Sequence, residues 1–166
     1  MSEYEVKKFY DVPGTAIRWR NFEGKAGKFN AEGDRNFCLV IDPDSADALQ
    51  AEGFNIRFLK PRDEGDDPVP YLPVKVAYGK GRPPKIVMMT KRGKTELDET
   101  SVSNLDWADI EKADIAINPY HYNVSGREGV KAYLKTMYVT IVEDEFEDRY
   151  YDVPESAKSI LVDESV

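Results

Sequence analysis

The feature that most constrains the fold is a succession of short β-type segments separated by clusters of glycine, proline and asparagine. Polar and apolar residues alternate in Thr15–Phe22, which predicts a strand whose two arginines face away from Ile17 and Trp19. The other predicted strands are Asn36–Ile41, Asn55–Lys60, Tyr71–Tyr78, Lys85–Thr90, Asp114–Tyr122 and Val130–Val142. Short strands with turn signals between them favour a mainly β domain, a small antiparallel barrel or sandwich.

Two short helices are predicted between these strands. The first covers about Asp44–Glu52, because Pro43 suits a first helical turn and Gly53 is placed to end the helix. The second covers Trp107–Lys112, with Asp106 as its N-terminal cap. The length of 166 residues agrees with one globular domain.

Charge is distributed unevenly along the chain. The sequence has 23 basic and 31 acidic residues, but residues 143–166 hold nine of the acids and only two of the bases, so residues 1–142 carry a net charge of only minus one. Within that part, Lys75–Lys94 contains seven basic residues and no acidic one. We therefore expect a domain over residues 1–142 and an acidic C-terminal tail over residues 143–166.

Few residues suit catalysis or metal binding. Cys38 and His121 are the only cysteine and histidine, so no Cys/His zinc site can form, and His121 fits a half-buried structural role. The acidic loop Asp63–Asp67 has carboxylates that suit a hard cation but lacks the EF-hand spacing, which favours a solvated loop. We expect no enzyme activity, cofactor or metal. The N-terminus lacks the pattern of a secretory signal, which predicts a cytoplasmic protein.

Aromatic residues are interleaved with basic ones, above all in Arg18–Phe37. Single-stranded nucleic acid is bound by this combination, because cations follow the phosphates and exposed rings stack on bases. The alternative is that the rings are core and the cations cover the solvated face. The apolar neighbours of Trp19, Phe37 and Phe58 favour the core for these three, whereas Phe22 and Phe29 flank a Gly/Lys loop and fit either role.

Four segments resemble one known family. They are Arg20–Gly24, Phe29–Phe37, Arg57–Asp63 and Lys131–Val139, and together they extend the resemblance from about Ala16 to Tyr150. The chain resembles bacteriophage single-stranded DNA-binding proteins. This resemblance implies an OB-fold barrel that coats single strands in phage replication or recombination, with an acidic tail that contacts phage or host replication proteins.

The candidate DNA-binding residues combine the aromatic–basic pattern with the positions of the resemblance. They are Arg18, Arg20, Phe22, Lys25, Lys28, Phe29, Asn30, Arg35, Phe37, Arg57, Lys75, Tyr78, Lys80, Arg82, Tyr120, Tyr122, Lys131 and Tyr133. Two other functions stay open. The net charge of minus eight suits an acidic adaptor or decoy that binds proteins, and the loop Asp63–Asp67 suits a metal-dependent nuclease.

Overall fold

The structure, a computed structural model, describes residues 8–28, 30–79 and 82–142, and β-strands dominate it. The strands are β1 (Lys8–Pro13), β2 (Ile17–Asn21), β3 (Arg35–Val40), β4 (Arg57–Leu59), β5 (Val69–Val76), β6 (Lys85–Thr90), β7 (Gly93–Leu97), β8 (Ile110–Val124) and β9 (Arg127–Ile141). One α-helix, α1 (Pro43–Ala51), and the 3₁₀ helices Gly14–Ala16 and Val102–Asp106 connect them. The predicted mainly β class is confirmed.

Local sequence signals placed α1 correctly. The Asp42 carboxylate accepts a hydrogen bond from the Ser45 backbone N–H at 3.0 Å, and Pro43 occupies the first turn. Gly53 follows the helix with φ +100°, a conformation that glycine adopts without strain. The helix buries Ala46 and Leu49 in the core.

The second predicted helix, Trp107–Lys112, is wrong. A 3₁₀ helix covers Val102–Asp106 instead, and β8 begins at Ile110. The Asp106 carboxylate accepts hydrogen bonds from the backbone N–H groups of Phe22, at 2.6 Å, and Glu23, at 3.0 Å. Asp106 therefore binds the backbone of the loop after β2 instead of capping a helix. Its local sequence does not reveal this long-range contact. Strands β1 and β7 were not predicted.

The strands form one mixed sheet in the order β1-β8-β9-β5-β3-β2, and β4 and the β6–β7 hairpin pair beside this path. The pairs β5–β9 and β6–β9 are parallel, so the expected wholly antiparallel arrangement is wrong at these two places. These partners lie far apart in sequence, where no turn signal fixes their direction. No pairing among the described strands closes the sheet into a full barrel.

The two ends of the sheet, β1 and β2, are consecutive in the chain. Only the 3₁₀ turn Gly14–Ala16 separates them, so Lys8–Asn21 runs as one bent segment that pairs first with β8 and then with β3. A Cβ at Gly14 would collide with the Ile110 carbonyl, which explains why glycine occupies the bend. The sheet therefore curves round a single core although its strand order stays open.

The core lies on the inner side of this sheet. Phe22 and Phe37 are fully buried and stack with ring centroids 5.4 Å apart. Alternation along β5 buries Leu72, Val74 and Val76 and turns the intervening side chains outward. The core assignment of Phe37 is confirmed, and Phe22, for which two roles were open, is also a core residue.

Two of the three aromatics assigned to the core are exposed instead. Trp19 is 51% exposed, because Trp19 and Arg20 together oppose a single residue of β3 and the resulting bulge, with φ +51° at Trp19, turns the indole outward. Phe58 is also 51% exposed, because β4 is a three-residue strand that pairs only with β5.

No helix in the described part of the chain is long and apolar enough to cross a membrane. Within the same ranges, no group of three or more His, Cys, Asp or Glu side chains is arranged to hold a metal ion. The carboxylates of the loop Asp63–Asp67 form no such group.

Candidate nucleic-acid interface

A row of polar and aromatic side chains crosses the outer face of five adjacent strands. The pairing register places Asn21 beside Asn36, Asn36 beside Lys75, Lys75 beside Tyr133, and Tyr133 beside Asn118. The residues on both sides of Lys75 and of Tyr133, and Phe37 after Asn36, are buried, so alternation points these side chains away from the core. At a strand spacing of about 4.8 Å, this outer-face row is roughly 19 Å long.

A cluster of three tyrosines and one lysine lies at the β8 end of the row. We call Tyr120, Tyr122, Lys131 and Tyr133 the tyrosine cluster. The rings of Tyr120 and Tyr133 meet edge to face with centroids 5.6 Å apart, and the Lys131 Nζ lies 5.3 Å from the Tyr122 ring centroid. Tyr120 is 55% exposed. The cluster therefore presents aromatic surface and positive charge together.

Gly129 shapes this cluster. It lies directly opposite Tyr122 in the β8–β9 ladder, and a Cβ at Gly129 would collide with the Tyr122 hydroxyl. The tyrosine ring therefore lies across the strand backbone, a position that a larger residue at 129 would block.

A second aromatic group lies on the outer face nearer β4. The Trp19 and Tyr71 rings are 5.1 Å apart, and Arg57 is the register partner of Tyr71. Cys38 lies close by on β3, where burial raises the pKa of its thiol and the Arg57 cation partly opposes that effect. Trp19, Tyr71 and Arg57 form the tryptophan cluster, which offers a ring and a cation to a ligand on this face.

A hollow of about 390 Å³ adjoins the middle of the row, and Arg35, Lys75, Tyr78 and Tyr133 contribute to its lining. Two carboxylates moderate its charge, since Lys75 Nζ lies 3.8 Å from Asp34 and Arg35 lies 3.9 Å from Glu99. The Tyr78 hydroxyl is buried without a hydrogen-bond partner, and burial raises its pKa.

Several candidate residues belong to the core or bond to the protein's own backbone. Phe22 and Phe37 are fully buried, so neither ring can stack on a base, and their assignment to DNA stacking is wrong. The Arg20 guanidinium donates to the carbonyls of Leu105, at 2.8 Å, and Ala108, at 2.7 Å. The Arg35 guanidinium donates to the Phe22 carbonyl. These arginines hold the loop and the strands around it.

Asn30 has a similar structural role in the loop between β2 and β3. Its amide nitrogen donates to the carbonyls of Lys25, at 2.8 Å, and Asp34, at 2.9 Å, and its amide oxygen accepts from Asn36. Asn30 thus fixes the loop over the end of the outer-face row.

The remaining candidate residues are distributed as follows. Arg18, Lys25, Lys28, Arg57, Arg82, Tyr120 and Lys131 are exposed, whereas Lys75, Tyr78, Tyr122 and Tyr133 are half-buried. Phe29 and Lys80 lie outside the described residues, as does the acidic tail. His121 is exposed on β8, so its predicted half-burial is wrong. The outer-face row brings Lys75 and the tyrosine cluster together but does not reach Arg82.

Sequence reasoning missed Trp19 and Tyr71 as site residues. For Tyr71 a signal existed, because alternation with the apolar residues Leu72 and Val74 predicts an outward ring. For Trp19 the same rule misleads, since the bulge that reverses its direction depends on pairing with β3.

A family model described as "Putative phage ssDNA-binding domain" matches residues 2–165. The single-stranded DNA-binding protein from bacteriophage Enc34, solved in complex with ssDNA, is 12% identical, with 82% of this chain and 86% of that chain covered at a TM-score of 0.49. The single-stranded DNA-binding protein gp2.5 of bacteriophage T7 is 15% identical, with 90% and 96% covered at a TM-score of 0.36. No curated protein matches the chain in sequence.

Proposed function

Because the chain belongs to the family of phage ssDNA-binding domains, we propose that it binds single-stranded DNA across its outer face during phage DNA replication, without a catalytic step. The observation that carries this proposal is the outer-face row together with the tyrosine and tryptophan clusters, which place aromatic rings and cations on one sheet face. Lys75, Lys131 and Arg57 would follow the phosphates, and exposed rings would stack on bases.

Stacking gives such a surface little sequence preference, because every base has a π-face. The rings that are open to stacking are Tyr120 and Tyr133 in the tyrosine cluster and Trp19 in the tryptophan cluster. The two clusters lie at different places on one continuous sheet face, so a single strand can contact both. This arrangement suits a protein that coats and protects single strands of any sequence.

The domain over residues 1–142 would carry DNA binding, and the acidic segment 143–166 would contact phage or host replication proteins. An acidic segment also repels DNA, so it suits a protein partner better than a nucleic-acid one. The protein would act in the cytoplasm of the host cell, where phage DNA is replicated.

Fluorescence anisotropy with labelled oligo-dT tests this function. At low salt we expect saturable binding by the wild-type chain, and Tyr133→Ala should weaken it by about 1–3 kcal/mol, the usual contribution of one stacked base. Phe9→Ala is a matched control, because Phe9 is 74% exposed but lies on β1, one strand beyond the β8 end of the row. Absence of binding would contradict the proposal and favour the acidic adaptor.

A second assay separates binding from cleavage. Labelled single strands are incubated with the protein and Mg²⁺ or Mn²⁺, and we expect them to stay intact. Cleavage that is lost when the carboxylates of Asp63–Asp67 are replaced by amides would favour the nuclease.

A further inference from the structure

Trp107 is 80% exposed, more than any other large hydrophobic side chain in the described ranges. It follows the 3₁₀ helix Val102–Asp106, whose Val102 and Leu105 are fully buried, so the core lies on the other side of this turn. An indole that projects into water buries little apolar surface and adds little to folding. Its ring is therefore available to a ligand.

The backbone that carries Trp107 is held from several sides. The Arg20 guanidinium donates to the carbonyls of Leu105 and Ala108, which lie on either side of Trp107. The preceding residue, Asp106, accepts hydrogen bonds from two backbone N–H groups of the loop after β2. The backbone of Trp107 is therefore fixed, and ligand binding would cost little entropy for ordering this segment.

Lys25 joins this ring to the end of the outer-face row. Its Nζ lies 5.8 Å from the Trp107 ring centroid, within the range of a cation–π contact. Its backbone N–H donates to the Asn21 side chain at 2.9 Å, and Asn21 is the last residue of the row on β2. Glu23 lies 3.6 Å from the same ammonium, but the Lys25 side chain is 65% exposed and can turn toward a phosphate.

We propose that Trp107 and Lys25 form a further nucleobase-binding subsite, in which the indole stacks on a base and Lys25 contacts the adjoining phosphate. This inference rests on the proposed function, since it extends the same DNA track past β2. A short DNA that lies only on the outer-face row does not reach Trp107, whereas a longer DNA does. The subsite therefore increases the length of DNA that the protein covers.

Oligo-dT strands of increasing length, titrated against wild type and Trp107→Ala, test the subsite. We expect Trp107→Ala to weaken binding of long strands by about 5-fold to 150-fold and to leave the shortest strand that binds unaffected. Lys25→Ala should also weaken the binding of the long oligo-dT strands only. Phe9→Ala, which removes a comparably exposed ring from β1, should bind every length as wild type does.

Fluorescence gives an independent readout. The chain has two tryptophans, so in a Trp19→Phe variant the emission comes from Trp107 alone. Long oligo-dT should quench this emission, and the shortest binding strand should not. Unchanged emission with long strands that do bind, or a Trp107→Ala loss that is the same at every length, would overturn the subsite and leave the indole as a docking point for a protein.

This outcome is distinct from failure of the proposed function, in which wild type would bind no strand of any length. Thermal unfolding of Trp107→Ala shows whether a loss of DNA binding comes from a loss of folded structure. Because the ring is exposed, the variant should melt within a few degrees of wild type, and a much lower melting temperature would contradict the inference by giving the ring a structural role.

Discussion

The β2–β3 hairpin and the outer end of the β8–β9 hairpin both combine aromatic and basic residues, but the structure uses them differently. In the β2–β3 hairpin, Phe22 and Phe37 are buried, and Arg20 and Arg35 donate to backbone carbonyls. In the β8–β9 hairpin, Tyr120 is exposed and packs edge to face on Tyr133. Aromatic and basic residues therefore stabilise the fold in the β2–β3 hairpin, whereas in the β8–β9 hairpin they form an exposed surface.

The difference follows from what each backbone needs. The loop between β2 and β3 and the turn before β8 leave the carbonyls of Phe22, Leu105 and Ala108 outside any strand ladder. Partly buried carbonyls require donors, and the guanidinium groups of Arg35 and Arg20 supply them. In β8 and β9 the backbone groups pair with one another along the ladder from Ile110 to Ile141. Their side chains are therefore available to face a ligand.

The largest expected effect concerns the stacked rings of the core. Phe22→Ala and Phe37→Ala should each lower the free energy of unfolding by about 3–5 kcal/mol, because each leaves a cavity in a packed core. Tyr120→Ala should cost no more than about 1.5 kcal/mol, the value of an aromatic pair. Chemical denaturation measures all three. Equal losses in the two hairpins would break the comparison.

Two arginines of β2 make a matched pair for the next largest effect. Arg20→Ala leaves the carbonyls of Leu105 and Ala108 without their donor and should destabilise the protein by about 1–3 kcal/mol. Arg18 is exposed and lies two residues before Arg20 on β2. Arg18→Ala should therefore change the free energy of unfolding by less than about 0.5 kcal/mol. A stable Arg20→Ala variant with weakened DNA binding would reverse the role assigned to Arg20.

The cations of the outer face should appear in the salt dependence of DNA binding. Each phosphate contact on a single strand contributes about 0.7 to the slope of log affinity against log salt. Lys131→Ala should lower the slope by about that amount, whereas Lys112→Ala, on the exposed β1-paired part of β8, should leave it unchanged. Equal slopes for both variants would remove Lys131 from the DNA track.

The sequence predicts some elements of this fold well and the exposure of individual side chains in the β2–β3 hairpin poorly. The alternation in β5 and the cap of α1 are local signals, and both elements form where those signals place them. Residues of the family resemblance in the β2–β3 hairpin were predicted to meet DNA, but Phe22 and Phe37 are core, because residue type alone does not tell which side of a strand faces the core. The exposure of Trp19 depends on a bulge set by long-range pairing.

The smallest expected effect concerns the thiol of Cys38 on the outer face. Burial raises the pKa of this thiol above the ordinary value of 9.0, so the thiol is protonated at neutral pH. Alkylation should therefore be slower than for an unperturbed thiol and should accelerate as pH rises toward the raised pKa. Bound oligo-dT should slow the reaction, since Cys38 is the register partner of Arg18 and Pro73 on the proposed DNA face. Mass spectrometry of the alkylated fraction with and without DNA measures the protection. Equal rates would place DNA away from the tryptophan cluster.

An NMR titration with short oligo-dT locates the DNA-binding surface directly, because backbone amide shifts report on every part of the sheet at once. We expect the largest shifts at Asn36, Lys75, Asn118 and Tyr133, along the outer-face row, and in the rest of the tyrosine cluster. Asp11 and Asp114, paired on the acidic outer face of β1 and β8, should stay unchanged. Large shifts at Asp11 and Asp114 with none along the row would contradict the account.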